Sequence, residues 1–199
     1  NIKSLSTALI MLAAFTIMAA CGKRDRQAGD FTAAELAMIH ESDSIMRVLT
    51  IDAPSDLAVL RSLSYDLSDS ALLSDDFKRL AELMVATVTH PSQDGVGIAG
   101  PQVGINRRVV AVQRFDKEKV MPDGSEGCPF KVYPNIRIVG MSESLEPGQE
   151  GCLSVPDMHG EVERSEEIEI EYVDMEQLKN GKYVTKRETV NGFTAVIFQ

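Results

Sequence analysis

The hydrophobic and polar positions of this chain change period several times, and each change marks an element. The clearest helical stretch runs from Asp75 to about Val88, with Phe77, Leu80, Ala81, Met84 and Val88 on one face. Ser74 stands where a cap belongs, and Asp75 and Asp76 suit the positive end of the helix dipole. Earlier, Asp30 is placed to cap a helix from Phe31 towards Leu49, with Leu36, Ile39, Ile45 and Val48 as its apolar positions. Ile51 to Asp69 reads as irregular or short extended structure, with Pro54 as a breaker. Strand signals follow at Arg108–Val112, Lys131–Tyr133 and Ile136–Val139. In Glu167–Tyr172 the apolar Ile168, Ile170 and Tyr172 alternate with three glutamates, which predicts one buried and one wet face. Asn180-Gly181 marks a turn before a strand at Tyr183–Val190. Asn191 then caps a last helix with Phe193, Val196 and Ile197 on one side. One early helix, a run of strands and a late helix make an α+β pattern.

The first 21 residues fall outside that pattern. Lys3 precedes an apolar run from Ala8 to Ala20, too short to span a bilayer and suited to a secretory signal. It ends in Met18-Ala19-Ala20-Cys21, which resembles the lipobox of bacterial lipoproteins, with Met18 where leucine is usual. The alternative, a buried core helix, fits poorly with the charged stretch Gly22–Arg26. The predicted organisation is a signal segment (1–21), a tether and accessory helix (22–50) and a globular domain (51–199). That organisation implies a lipid on Cys21, membrane attachment and the cell envelope. At 199 residues the chain can bury a real core, and a formal net charge of -10 argues against nucleic acid as a partner.

Two clusters carry candidate chemistry. Gly95-Val96-Gly97-Ile98-Ala99-Gly100-Pro101-Gln102 combines glycines that admit close backbone approach with a side-chain amide able to donate a hydrogen bond. Read alone, it equally describes a tight turn between a helix and a strand. Glu150-Gly151-Cys152-Leu153-Ser154-Val155-Pro156 places a thiol that could be a metal ligand, a nucleophile or an inert core group. A nucleophile needs a histidine base, and His40, His90 and His159 are scattered. Cys128 lies in a loop, where a disulfide to Cys152 is open outside the cytoplasm.

Together the two clusters resemble the G-x-G-[IL]-A-A-P-Q and E-G-C-L-S motifs of the peptide deformylases, in the same order and over about Ile51–Gln199. Gly100 replaces the more usual second alanine, a small change expected to leave the site undisturbed. The resemblance implies mixed antiparallel sheets around a central helix that bears a metal site. It implies hydrolysis of the formyl group from N-formylmethionyl peptides, with Cys152 as a ligand to Fe2+ (or Ni2+, Co2+ or Zn2+). Gln102 and the Leu153 backbone N–H would form the oxyanion hole, and Val96, Gly97 and Gly151 would pair with the substrate backbone. The family's third motif, H-E-x-x-H, supplies two histidines to the metal and a general base. Asn191–Gln199 resembles the helix turn preceding that motif, and none of the three histidines here is spaced to replace it. The expectation is a sequence cut short before the motif and inactive as given. The alternatives are a non-catalytic envelope lipoprotein using this fold as a binding module, and a thiol enzyme. A cytoplasmic location, usual for the family, is the alternative to the envelope.

Overall fold

The structure is a computed structural model that describes residues 28–117 and 127–199. The signal-like segment with Cys21 lies outside them. The first part holds β1 (Ala28–Gly29), α1 (Ala33–Glu41), α2 (Pro54–Leu60), β2 (Asp66–Leu67), α3 (Asp69–Leu72) and α4 (Asp75–Thr89). Then come β3 (Gly97–Ala99), a 3-10 turn (Gly100–Val103), β4 (Val109–Gln113), β5 (Phe130–Pro134) and β6 (Arg137–Met141). The chain continues through β7 (Leu145–Cys152), β8 (Val155–Ser165), β9 (Glu167–Val173), α5 (Met175–Lys179), β10 (Thr185–Asn191) and α6 (Gly192–Phe198).

Two three-stranded antiparallel sheets, ordered β3-β4-β5 and β10-β9-β6, are accompanied by the hairpin β7-β8 and a two-residue parallel pair, β1-β2. β4 shows how the layers assemble. Val109 and Ala111 face α4 in one core cluster, whereas Val110 and Val112 join the other, with Tyr133, Ile168, Ile170 and Ala195. Both faces of this sheet are covered, so β4 is an unbroken apolar run. α4 matches the sequence expectation closely: Ser74 caps it by accepting from the Phe77 N–H, and Phe77, Leu80, Met84 and Val88 are buried.

Elsewhere local chemistry overrode the pattern. α1 ends at Glu41, well short of Leu49, and its cap is Thr32, which forms a reciprocal capping box with Glu35. Asp30 instead accepts hydrogen bonds from Ser68 and Ser70. Pro54 opens α2 rather than breaking structure, because its missing N–H costs nothing at the first helical position. Residues 28–50 are built into the main core: Ile39 and Met46 belong to the α4 cluster, and Arg107 and Glu35 form a buried ion pair. Burial raises the Glu35 carboxyl, but its bonds from Arg107 and Thr32 outweigh that and hold it below the usual range. β9 departs from its alternation at Glu171, which is buried and accepts from Arg187 Nε at 3.1 Å. In α6 the buried residues are Thr194 and Ala195, while Phe193 is exposed and packs on Phe115. Among the described residues no helix is long and apolar enough to cross a membrane.

Candidate active site

The two chemical clusters lie on different sheets, and their side chains meet. Gly100 starts a 3-10 turn directly after β3, with Pro101 next, and Gly104 ends it at φ 83°, a conformation that favours glycine. Inside the turn, Gln102 Oε1 accepts the Ala99 N–H at 2.9 Å, which fixes the amide and turns its NH2 outward. That Nε2 lies 3.8 Å from Cys152 Sγ and 3.3 Å from Ser154 Oγ. Cys152 is the last residue of β7, exposed at the hairpin tip, with Leu153 and Ser154 making the two-residue turn before Val155.

Glycines bring the clusters into contact. A Cβ at Gly95 would sit 2.9 Å from the Val88 side chain and 3.1 Å from that of Leu153. One at Gly97 would come within 2.5 Å of Ile197 on α6. Gly97 pairs with Val112 at the edge of its sheet, and the Val96 carbonyl accepts the Gln113 N–H. Gly151 is exposed on β7 opposite His159, whose ring occupies the space a Cβ would need. Gly97 therefore lies on one strand edge and Gly151 on another, while Val96 turns its carbonyl into the ladder.

Gly100 is closely enclosed. Its Cβ position is closed by main chain, 2.6 Å from the Ile105 oxygen and 2.8 Å from that of Arg107. Alanine is not a harmless substitute in this chain. Gly100→Ala is expected to destabilise the fold by about 1–3 kcal/mol, seen as a lower urea midpoint at unchanged m-value.

The hairpin is tied to α6 through residues whose role the sequence did not reveal. Arg164 holds Glu150 in a two-pronged ion pair at 2.9 and 2.8 Å, which keeps the Glu150 carboxyl below the usual range. Gln199 accepts the Ser165 N–H and donates to the Ser165 carbonyl, completing a link from the end of α6 to β8. Ser154 is 4% exposed and was legible only as part of its motif. Its contact with Gln102 depends on folding.

Cys128 and Cys152 are both free thiols, which removes the disulfide between them. Cys152 suits one position of a divalent-metal set, being exposed and a soft donor. Among the described residues no group of three His, Cys, Asp or Glu gathers to hold a metal. His40 pairs with Asp76 and His90 with Ser92. Among the described residues, Cys152 is thus the candidate ligand of a metal site.

An antiparallel α+β fold with an amide on a glycine-rich turn facing a thiol at a hairpin tip defines the class of site. The chain belongs to the polypeptide deformylase family, whose model matches residues 45–199. Among similar proteins, a peptide deformylase of Leptospira biflexa is 34% identical over 156 residues, covering 78% of this chain and 80% of that one. One from Caulobacter vibrioides is 31% identical over 156 residues, with the same coverage of 78% and 80%. Of the solved structures, a class I type b peptide deformylase from Acinetobacter baumannii bound to Met-Ala-Ser has TM-score 0.62 and 32% identity. It covers 77% of this chain and 88% of its own. That of Thermotoga maritima has TM-score 0.60 and 28% identity over 78% of this chain and 88% of its own. These proteins are metal-dependent hydrolases.

Proposed function

We propose that this protein hydrolyses the formyl group of N-formylmethionyl peptides, with Cys152 as a ligand to one divalent metal, Fe2+ first among the candidates. The observation that carries this reading is the Gln102 amide, locked by the Ala99 N–H and aimed at the space beside Cys152. Negative charge that grows on a formyl oxygen there would accept from the Gln102 Nε2 and the Leu153 backbone N–H. The edges at Gly97, next to Val96, and at Gly151 offer main-chain groups to an extended peptide, a mode indifferent to most side chains. The metal, when bound, supplies a polarised water. Among the described residues no set of three His, Cys, Asp or Glu completes a metal shell around Cys152. A cysteine nucleophile would need an imidazole against the sulfur, where this structure puts an amide.

The test uses the full-length protein and formyl-Met-Ala-Ser. Formate release should follow metal loading and stop on chelation. A product that holds metal and binds the peptide yet never yields formate would make this fold a binding module instead.

A further inference from the structure

A short strap, residues 47–51, lies against both halves of the site. The Leu49 N–H donates to the Gln102 carbonyl at 2.8 Å, and two residues later the Ile51 N–H donates to the Ser154 carbonyl at 3.0 Å. β3 and β7 belong to different sheets, so the ladders do not join these two segments. The strap does, from the main-chain side, while Gln102 Nε2 and Ser154 Oγ meet on the other.

One side chain organises the strap. Asp56, in the first turn of α2, is 5% exposed. Its carboxylate takes Arg47 in a two-pronged bond, Nη1 at 2.7 Å and Nη2 at 2.9 Å, and also accepts the Thr50 N–H at 3.3 Å. It thus grips the strap at positions 47 and 50, on either side of Leu49. α2 is itself pinned just beyond the 3-10 turn, where Asn106 Nδ2 donates to the Val59 carbonyl at 3.0 Å. Asp56 therefore pulls against a fixed support. A carboxylate in a first helical turn is ordinarily explained by the dipole. The dipole does not explain why this one is buried and carries an exposed arginine and a strap amide.

We propose that Asp56 is a positioning residue for the reaction, acting through the strap to hold the Gln102 turn against the hairpin tip. This rests on the deformylase reading of Gln102. Displacing such a group by about an ångström is enough to cost orders of magnitude in rate. Binding along the strand edges should be spared.

The experiment combines kinetics on formyl-Met-Ala-Ser with amide hydrogen exchange, using the full-length protein. Asp56→Ala should lower kcat roughly 10- to 100-fold, leave KM within about twofold, and speed exchange at Leu49 and Ile51. Asp56→Asn, which retains an acceptor for the Thr50 N–H, should recover most of the loss. In a Gln102→Ala background, Asp56→Ala should add little, because both act through one donor. Fully additive losses, or unchanged exchange at Leu49 and Ile51, would overturn the proposal. Should Asp56→Ala fail to fold, Arg47→Ala decides. Arg47 is 70% exposed and its removal should still loosen those two amides; no change there would count against the strap. If the unmodified protein releases no formate, the functional reading fails, while the exchange data still judge the clamp.

Discussion

Replacing Cys152 with alanine in the full-length protein is expected to abolish bound metal and formate release together. A thiolate ligand contributes charge as well as a bond, and metal sites lose affinity steeply when one protein ligand of three is removed. The geometry isolates this effect. Cys152 is exposed at the hairpin tip, and the ladder that places it, Gly151 opposite His159 and Cys152 opposite Val155, is made by the main chain. The fold should survive, so the melting temperature of the metal-free protein should barely change. Metal analysis after dialysis would fall from about one ion per chain to near zero. Cys128 is the other free thiol of the described residues, so a Cys128→Ser control separates the two. Full activity after chelation, with loss on thiol alkylation, would instead establish sulfur as the nucleophile.

The site was more legible than the frame that holds it. Gln102, Cys152 and the glycines stand in compact sequence clusters, where unusual residue types announce themselves locally. α4 was legible for a similar reason, since a fifteen-residue amphipathic helix carries its cap and its stripe in one window. The supports were hidden because they act across long separations. Arg107 reaches Glu35 from 72 positions away, and Leu67 is hydrogen-bonded by Asn135 from 68 positions away. The hairpin β7-β8 gave little periodic signal because most of both strands is exposed, so there is no buried face to alternate with a wet one. Pro54 misled because a proline that ends one helix and a proline that begins another look alike without the residues that follow being placed. α1 fell short because Thr32 and Glu35 satisfied its first turn and the chain then left the helix at Ser42 to become the strap. Glu171 shows the opposite failure: the alternation was real, and a partner from β10 buried the charged side as well.

Gln102→Ala should fail differently from Cys152→Ala, and the difference bears directly on mechanism. The substitution removes a donor 3.8 Å from Cys152 Sγ, while the Leu49 N–H still bonds the main-chain carbonyl at position 102. The turn therefore keeps its tether to the strap. What it loses inside is the acceptor for the Ala99 N–H and the donor to Ser154 Oγ, together worth about 1–3 kcal/mol of stability. Metal content should stay near that of the unmodified protein, since no ligand is touched. The kinetic loss should be much larger than the stability loss, roughly 10²–10³ in kcat with KM little changed, because the amide is called upon only as charge grows on the formyl oxygen. The Leu153 N–H, fixed by the hairpin turn, would remain as the second donor and keep the residual rate above background. A raised KM at unchanged kcat would show that Gln102 binds substrate and transition state alike, and the oxyanion role would then have to pass to Leu153 alone. Loss of metal along with activity would place the amide among the groups that hold the Cys152 sulfur in position rather than those that act on the substrate.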